Sequence, residues 1–185
     1  MITLFELAGA DEARRFSPYC WRTRMSLRHK GLEFEGVPWR FVEKDRLAPA
    51  GAKLVPVIRD GGTWVHDSMA IAEYLEERYP DRPSLFGSAH GAALARFAAA
   101  WIDRTVQLEA SRPILMDIHA CLHPGDRAYF RATRERRFGR RLEEVCPDPQ
   151  AQLPAFRLLL EPARRVLAKQ PYLAGAAPNY ADYAL

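Results

Sequence analysis

Four residues near the start of the chain, Ser17-Pro18-Tyr19-Cys20, have the spacing of a Cys-Pro-Tyr-Cys redox motif with serine in place of the first cysteine. A cysteine at that place attacks a disulfide itself. A serine hydroxyl forms no such bond, but it can donate a hydrogen bond to a thiolate supplied by another molecule. Ser17 and Pro18 also read as a helix start, because serine caps the first turn and proline is tolerated there. Ser17 is therefore either the activator of an external sulfur nucleophile or a helix cap alone. Tyr19 offers a rival hydroxyl further into the same helix. Cys20 stands where a resolving thiol would, so it is a candidate for a mixed disulfide or a structural cysteine.

The elements that must position these groups follow from the pattern around them. Residues 2–7 alternate and are β-rich, which predicts a strand. A loop over 8–16 leads to a helix that runs to Lys30 and stops at Gly31. Residues 32–42 form a second strand region interrupted at Pro38, and 43–53 are irregular with room for a short helix. Residues 54–58, with Pro56 near their start, read as a third strand. Asp60-Gly61-Gly62 turns the chain into a fourth over 63–66. Asp67-Ser68 opens a helix with Ile71, Leu75 and Tyr79 on one side, closed by Pro80. This order predicts an α/β domain over 1–80. Residues 81–90 read as a linker, and 91–185 as an all-α domain with helical stretches over 91–122, 127–146 and 153–170. Asn179 and Asp182 form a capping pattern. Only three residues follow it, so the second domain reads as incomplete at its C-terminus.

The chain has 185 residues, 48% of them hydrophobic, which suits folded domains with real cores rather than disorder. The net charge of +4 owes much to Arg127, Arg131, Arg134, Arg136, Arg137, Arg140 and Arg141. The remainder is near neutral, which argues against a protein-wide nucleic-acid surface. Glu135, Glu143 and Glu144 interrupt the cluster, and Phe130, Phe138, Leu142 and Val145 give it an apolar stripe, so it reads as a solvated helix face or a subunit interface. Three cysteines, at 20, 121 and 146, make no disulfide framework and fit a reducing compartment. The chain shows no basic leader and no apolar run of about 18 residues, so a cytoplasmic protein without membrane partners is expected. His119, Cys121 and His123, with Asp117 nearby, look metal-like, but no further ligand stands close and Cys121 would leave the face shared by the histidines; no metal is expected.

Taken together and in order, "SPYCWRTRMSLRHKG", "VPVI", "WVHDSMAIAEYLEERYPDRPSLF" and "PNYADY" resemble the glutathione transferases, above all the bacterial β-etherase and fungal etherase-like branch. The resemblance implies a thioredoxin-like first domain, an all-α second domain, glutathione as co-substrate, a small hydrophobic electrophile such as an aryl ether, and a homodimer. It implies that Ser17 stabilises the glutathione thiolate. The Val55 backbone would pair with the cysteinyl part, before a cis bond to Pro56. Ser68 and Asp67 would hold the γ-glutamyl carboxylate and ammonium. Lys53 would meet the glycyl carboxylate, with Trp39 and Arg40 as weaker candidates. The second substrate would sit between the 8–16 loop and the helix containing Trp101 and Thr105. A free thiol titrates near about 8.5, and lowering that by about 2 units takes roughly 2.7 kcal/mol; one hydroxyl donor at a helix N-terminus supplies much of it. Two alternatives stand beside this reading. One is a glutathione-dependent isomerase or reductase using Cys20. The other is a non-catalytic binding module that meets partners through the arginine helix.

Overall fold

The computed structural model describes residues 1–185. β1 (Ile2–Leu7) is buried along its whole length and forms the middle of a four-stranded sheet with the order β2-β1-β3-β4. β2 (Phe34–Trp39) pairs parallel with β1, so the chain needs a crossover between them, and α1 (Pro18–His29) provides it. β3 (Val57–Asp60) and β4 (Thr63–His66) form a hairpin, turned at Gly61 with φ of 58°, and β3 pairs antiparallel with β1.

Strand alternation splits the core in two. Ile2 and Leu4 of β1 join Ile58, Leu27 of α1, and Ile71 and Leu75 of α2 (Ser68–Arg78) on one side of the sheet. Phe5 and Leu7 join Val57, Trp39 and Phe41 on the other, with Leu115 and Phe130 of the helical region. Each such side chain taken from water contributes about 1.5–3 kcal/mol.

Pro38 does not break the second strand. It lies inside β2 opposite Glu6, and β2 is an edge strand, where a missing N–H is tolerated. The third strand begins at Val57, after Pro56 rather than before it. The helical region is also more divided than the apolar pattern predicts. α3 (Ala89–Trp101) passes through a π turn at Ile102–Val106 into α4 (Gln107–Ser111); Pro113 lies in the break before α5 (Leu115–Cys121). α6 (Pro124–Phe138) ends at Gly139, which takes the left-handed conformation with φ of 67°. The amphipathic stretch expected to reach Cys146 therefore resumes only as a short 3-10 turn, Leu142–Glu144. α7 (Pro149–Leu159) and α8 (Glu161–Leu167) divide at Leu160. α9 (Tyr180–Ala184) starts with the expected capping box: Asn179 accepts from the Ala181 amide at 2.8 Å, and Asp182 accepts from the Asn179 amide at 3.0 Å.

Buried polar contacts join the two regions. Arg22 of α1 donates to Asp103 at 2.6 Å and to the Ala184 carbonyl at 3.0 Å. Asp126, fully buried, accepts from the Val42 amide at 3.1 Å. No helix is long and apolar enough to cross a membrane.

Candidate functional site

Strand register gathers the predicted residues at one end of the sheet. Phe5 faces Val57, and Val57 faces His66. The exit of β1, the entry to β3 and the exit of β4 therefore lie side by side. Ser17 follows the first, the Val55–Pro56 pair precedes the second, and Asp67-Ser68 follow the third. The Val55–Pro56 peptide is cis.

The turn that carries Ser17 is clamped. Glu6, only 1% exposed, accepts from Arg24 Nε at 2.9 Å on one side of Ser17 and faces Arg15 Nε at 3.7 Å on the other. The 8–16 loop is tied to the helical region by the Ala10 amide, which donates to the Cys121 carbonyl at 2.9 Å. Gly9 permits that approach, because a Cβ there would stand 2.8 Å from the same carbonyl oxygen.

Ser17 is buried and caps α1, its Oγ accepting from the Cys20 amide at a long 3.4 Å. Its hydroxyl also lies close to the Cys20 sulfur, and like any serine hydroxyl it can rotate to donate to a nearer anion. Cys20 is fully buried, and burial pushes its thiol up to about 11, so it is a neutral thiol at physiological pH. Tyr19 is partly exposed. Burial, then the nearby Asp103 carboxylate, pushes its hydroxyl up, so it too stays protonated.

A cavity of about 180 Å³ opens beside Ser17. Leu7, Phe16, Leu115, Phe130 and Phe138 make it largely apolar; Tyr19, Asp103, Gln107, Ser111, Arg134 and Arg137 supply its polar groups. It lies between the end of the 8–16 loop and the helical segment expected, but on a different face of that segment. Asp103, Gln107 and Ser111, spaced i, i+4, i+8, line it. Trp101 and Thr105 are rotated away, Trp101 into a groove of about 950 Å³ on the far side of α3 and Thr105 toward α7. That groove is larger, but its lining is mostly small and apolar. Its one histidine, His29, is already bonded to Tyr183 at 2.6 Å.

Val55, Asp67, Ser68 and Lys53 do not line the Ser17 cavity. Asp67 has φ of 73°, a strained left-handed backbone for a residue with a Cβ. One oxygen of its carboxylate caps α2, accepting from the Met69 and Ala70 amides at 2.9 and 3.1 Å; its second oxygen has no protein partner. Ser68 is buried, and its Oγ accepts from the Tyr180 hydroxyl at 3.2 Å. Burial pushes Tyr180 up to about 12, which keeps it a donor. Pro56 is buried, Val55 half-buried, and Lys53 exposed without a bonding partner. Trp39 belongs to the core, donating its indole N–H to the Glu43 carbonyl at 2.8 Å, and Arg40 is paired with Glu43 at 2.9 Å.

The histidine–cysteine group disperses into other contacts. The His119 ring lies 6.2 Å from that of Phe130, His123 accepts from the Gly125 amide at 3.2 Å, and Cys121 receives the Arg14 guanidinium at 2.8 Å. No three His, Cys, Asp or Glu side chains are grouped to hold a metal. Tyr180, Asp103, Arg134 and Arg137 are site residues that sequence reasoning missed. For the arginines a signal existed: Phe130, Arg134, Arg137 and Phe138 follow i, i+4, i+7, i+8 and share one helix face.

Two family models match the chain: the glutathione S-transferase N-terminal domain over residues 16–78 and the glutathione S-transferase C-terminal domain over residues 93–185. A zeta-class glutathione S-transferase of Euphorbia esula is 35% identical over 92 residues, which are 47% of this chain and 41% of the relative. Glutathione S-transferase U28 of Arabidopsis thaliana is 34% identical over 53% of this chain and 46% of its own length. The chain thus spans less than half of these curated relatives. Among solved structures, the glutathione S-transferase CsGST83044 of Ceriporiopsis subvermispora, solved in complex with glutathione, has a TM-score of 0.83 at 26% identity, covering 100% of this chain and 83% of that one. Glutathione transferase GSTFuA2 of Phanerochaete chrysosporium has a TM-score of 0.79 at 28% identity, covering 99% and 81%.

Proposed function

The chain belongs to the glutathione S-transferase family, and on that premise we propose that it binds glutathione, ionises its thiol through Ser17, and directs the thiolate at a small apolar electrophile. The observation that carries this reading is the placement of a capping hydroxyl at the mouth of a largely apolar cavity. A hydrogen bond from such a donor to an anion contributes about 1.5–3 kcal/mol, and the α1 N-terminus adds to it.

In this reading residues 1–80 bind glutathione, 81–90 link, and 91–185 close the electrophile site. The cis Val55–Pro56 edge offers the Val55 backbone to the cysteinyl part. The free oxygen of Asp67 faces the γ-glutamyl ammonium, while Ser68, held by Tyr180, takes the carboxylate. Lys53 is an exposed cation at the entrance to the same edge and suits the glycyl carboxylate. The electrophile reacts as the C–S bond forms and the bond to its leaving group breaks with the electron pair. The β-etherase-like motifs and the aromatic lining support an aryl ether as that electrophile, with an aryloxide leaving. Leu94 and Phe97, exposed together on α3, support a homodimer. Three free thiols suit the cytoplasm.

The test is the ultraviolet absorbance of bound glutathione thiolate, titrated against pH beside Ser17→Ala. Ionisation below about pH 7 in the wild type alone supports the reading. A thiol that titrates as it does in water removes it.

A further inference from the structure

The cavity wall contributed by α6 carries charge that no protein group neutralises. Arg134 and Arg137 both line it. Arg134 lies over the Phe130 and Phe41 rings at 4.5 and 5.4 Å and donates one hydrogen bond, to Thr133 Oγ1 at 2.9 Å. Arg137 is exposed and makes no hydrogen bond or ion pair. Two other arginines of the same helix are satisfied: Arg127 donates to the Leu122 and Ala120 carbonyls, and Arg131 pairs with Glu135 at 3.0 Å and Glu143 at 2.7 Å; Arg136 is exposed and does not line the cavity. The one carboxylate on the cavity wall, Asp103, is already held by buried Arg22 at 2.6 Å.

Two like charges on one helix face repel. Burial first, then Arg137, pushes Arg134 down, yet a guanidinium keeps its charge in a protein. The dipole at the C-terminal end of α6 favours a cation at Arg137. It is indifferent to the side on which that cation projects, and its effect fades before Arg134, a turn earlier. An anion between the two guanidiniums satisfies both.

We infer that the electrophile's apolar aryl body, packed against Phe16, Leu115, Phe130 and Phe138, also carries a carboxylate, which binds Arg134 and Arg137. This rests on the transferase reading above and names the substrate class of the same site. The carboxylate takes no part in bond making. Glutathione thiolate attacks the ring carbon that bears the leaving group, the C–S bond forms, and the leaving group departs with its electron pair. The thiol proton has already passed to solvent. The arginines fix the ring by charge-assisted, planar contacts.

The test uses the full chain with two matched probes, a chloronitrobenzoate and the corresponding chloronitrobenzamide, chloride leaving from each. Every kcat/KM is divided by the uncatalysed rate with glutathione. The wild type is expected to favour the benzoate by about tenfold or more, less so at high salt. Arg137→Gln, at an exposed unbonded residue, should lower that preference toward one through the KM of the benzoate. Arg134→Met should lower it too, and Arg134→Lys should retain part of it. Circular dichroism confirms that each variant is folded. A wild type that treats both probes alike overturns the inference, as do variants that slow both probes equally. Variants that raise the KM for glutathione or the titration point of its thiol also overturn it, by assigning the arginines to glutathione. If neither probe turns over, the transferase reading fails. Calorimetry with the benzoate then decides the anion site: binding lost in Arg137→Gln supports it, and no binding overturns it.

Discussion

The sheet side of the candidate site and the helical wall of the Ser17 cavity are built differently. On the sheet side nearly every polar group is engaged: Glu6 with Arg24, Ser17 with the Cys20 amide, Asp67 with two amides of α2, Ser68 with Tyr180. On the helical side Ser111 donates to the Leu108 carbonyl and Asp103 is held by Arg22, but the Gln107 and Arg137 side chains make no protein hydrogen bond, and Arg134 uses one donor of its fork. A wall that meets one unchanging reactant can be fixed by burial and backbone. A wall that meets a variable partner keeps its donors free. Changes on the first should move stability and thiol chemistry together; changes on the second should move selectivity alone.

The largest expected effect is at Glu6. Glu6→Gln removes a buried carboxylate from Arg24 and Arg15 and should lower unfolding free energy by about 3 kcal/mol, read by urea denaturation. Arg137→Gln, on the opposite wall, should stay within about 0.5 kcal/mol of wild type. Equal losses on the two walls would erase the contrast.

Cys20 gives the contrast a pH dependence. Its thiol is pushed up to about 11 by burial. The folded state therefore binds that proton more tightly than the unfolded chain does. The stability this contributes is whole below the ordinary thiol range and is lost as pH rises through about 11. Between about pH 8 and 11 the wild type should lose up to about 2 kcal/mol more than Cys20→Ala, other alkaline groups being common to both. At pH 8 the same residue should resist alkylation, and conjugation by Cys20→Ala should change less than about twofold. Loss of all activity in that variant would instead favour an isomerase or reductase.

Ser17→Ala comes next, at about 2 kcal/mol in kcat/KM, or roughly thirtyfold. The lost cap adds about 1 kcal/mol of instability.

What was legible in the sequence follows the same division. Ser17, Val55-Pro56 and Asp67-Ser68 are each adjacent to a strand end or a helix start, and local rules of capping and turns find such places. Period-two patterning predicts the strands, whose register then brings the three sites together. The helical wall was read less well. A helical wheel groups Phe130, Arg134, Arg137 and Phe138, yet it cannot tell which cavity that face borders; only packing of α6 against Phe41 and Leu115 decides it. The π turn at Ile102–Val106 carries the segment on as Asp103, Gln107 and Ser111 rather than Trp101 and Thr105. Gly139 ends α6 in the left-handed conformation, and the apolar stripe that continues at Leu142 and Val145 masks that stop in the sequence pattern.

Tyr180 belongs to the helical region but reaches the sheet side, its hydroxyl donating to Ser68. Its side chain is fully buried, and burial pushes it up to about 12, so it donates throughout the working pH range. Tyr180→Phe keeps the ring beside Phe86, at 5.7 Å, and removes only the donor. Ser68 then loses one buried bond, which costs about 1 kcal/mol. If Ser68 grips the γ-glutamyl carboxylate, its hydroxyl loses orientation as well, and KM for glutathione should rise about threefold with kcat unchanged. Ser17, at the other end of the same wall, keeps all its contacts, so the thiolate titration should not move. A fall in kcat with KM intact would mean that Tyr180 acts on the chemistry rather than on the peptide grip. A fall in stability alone would leave Ser68 as a buried structural hydroxyl.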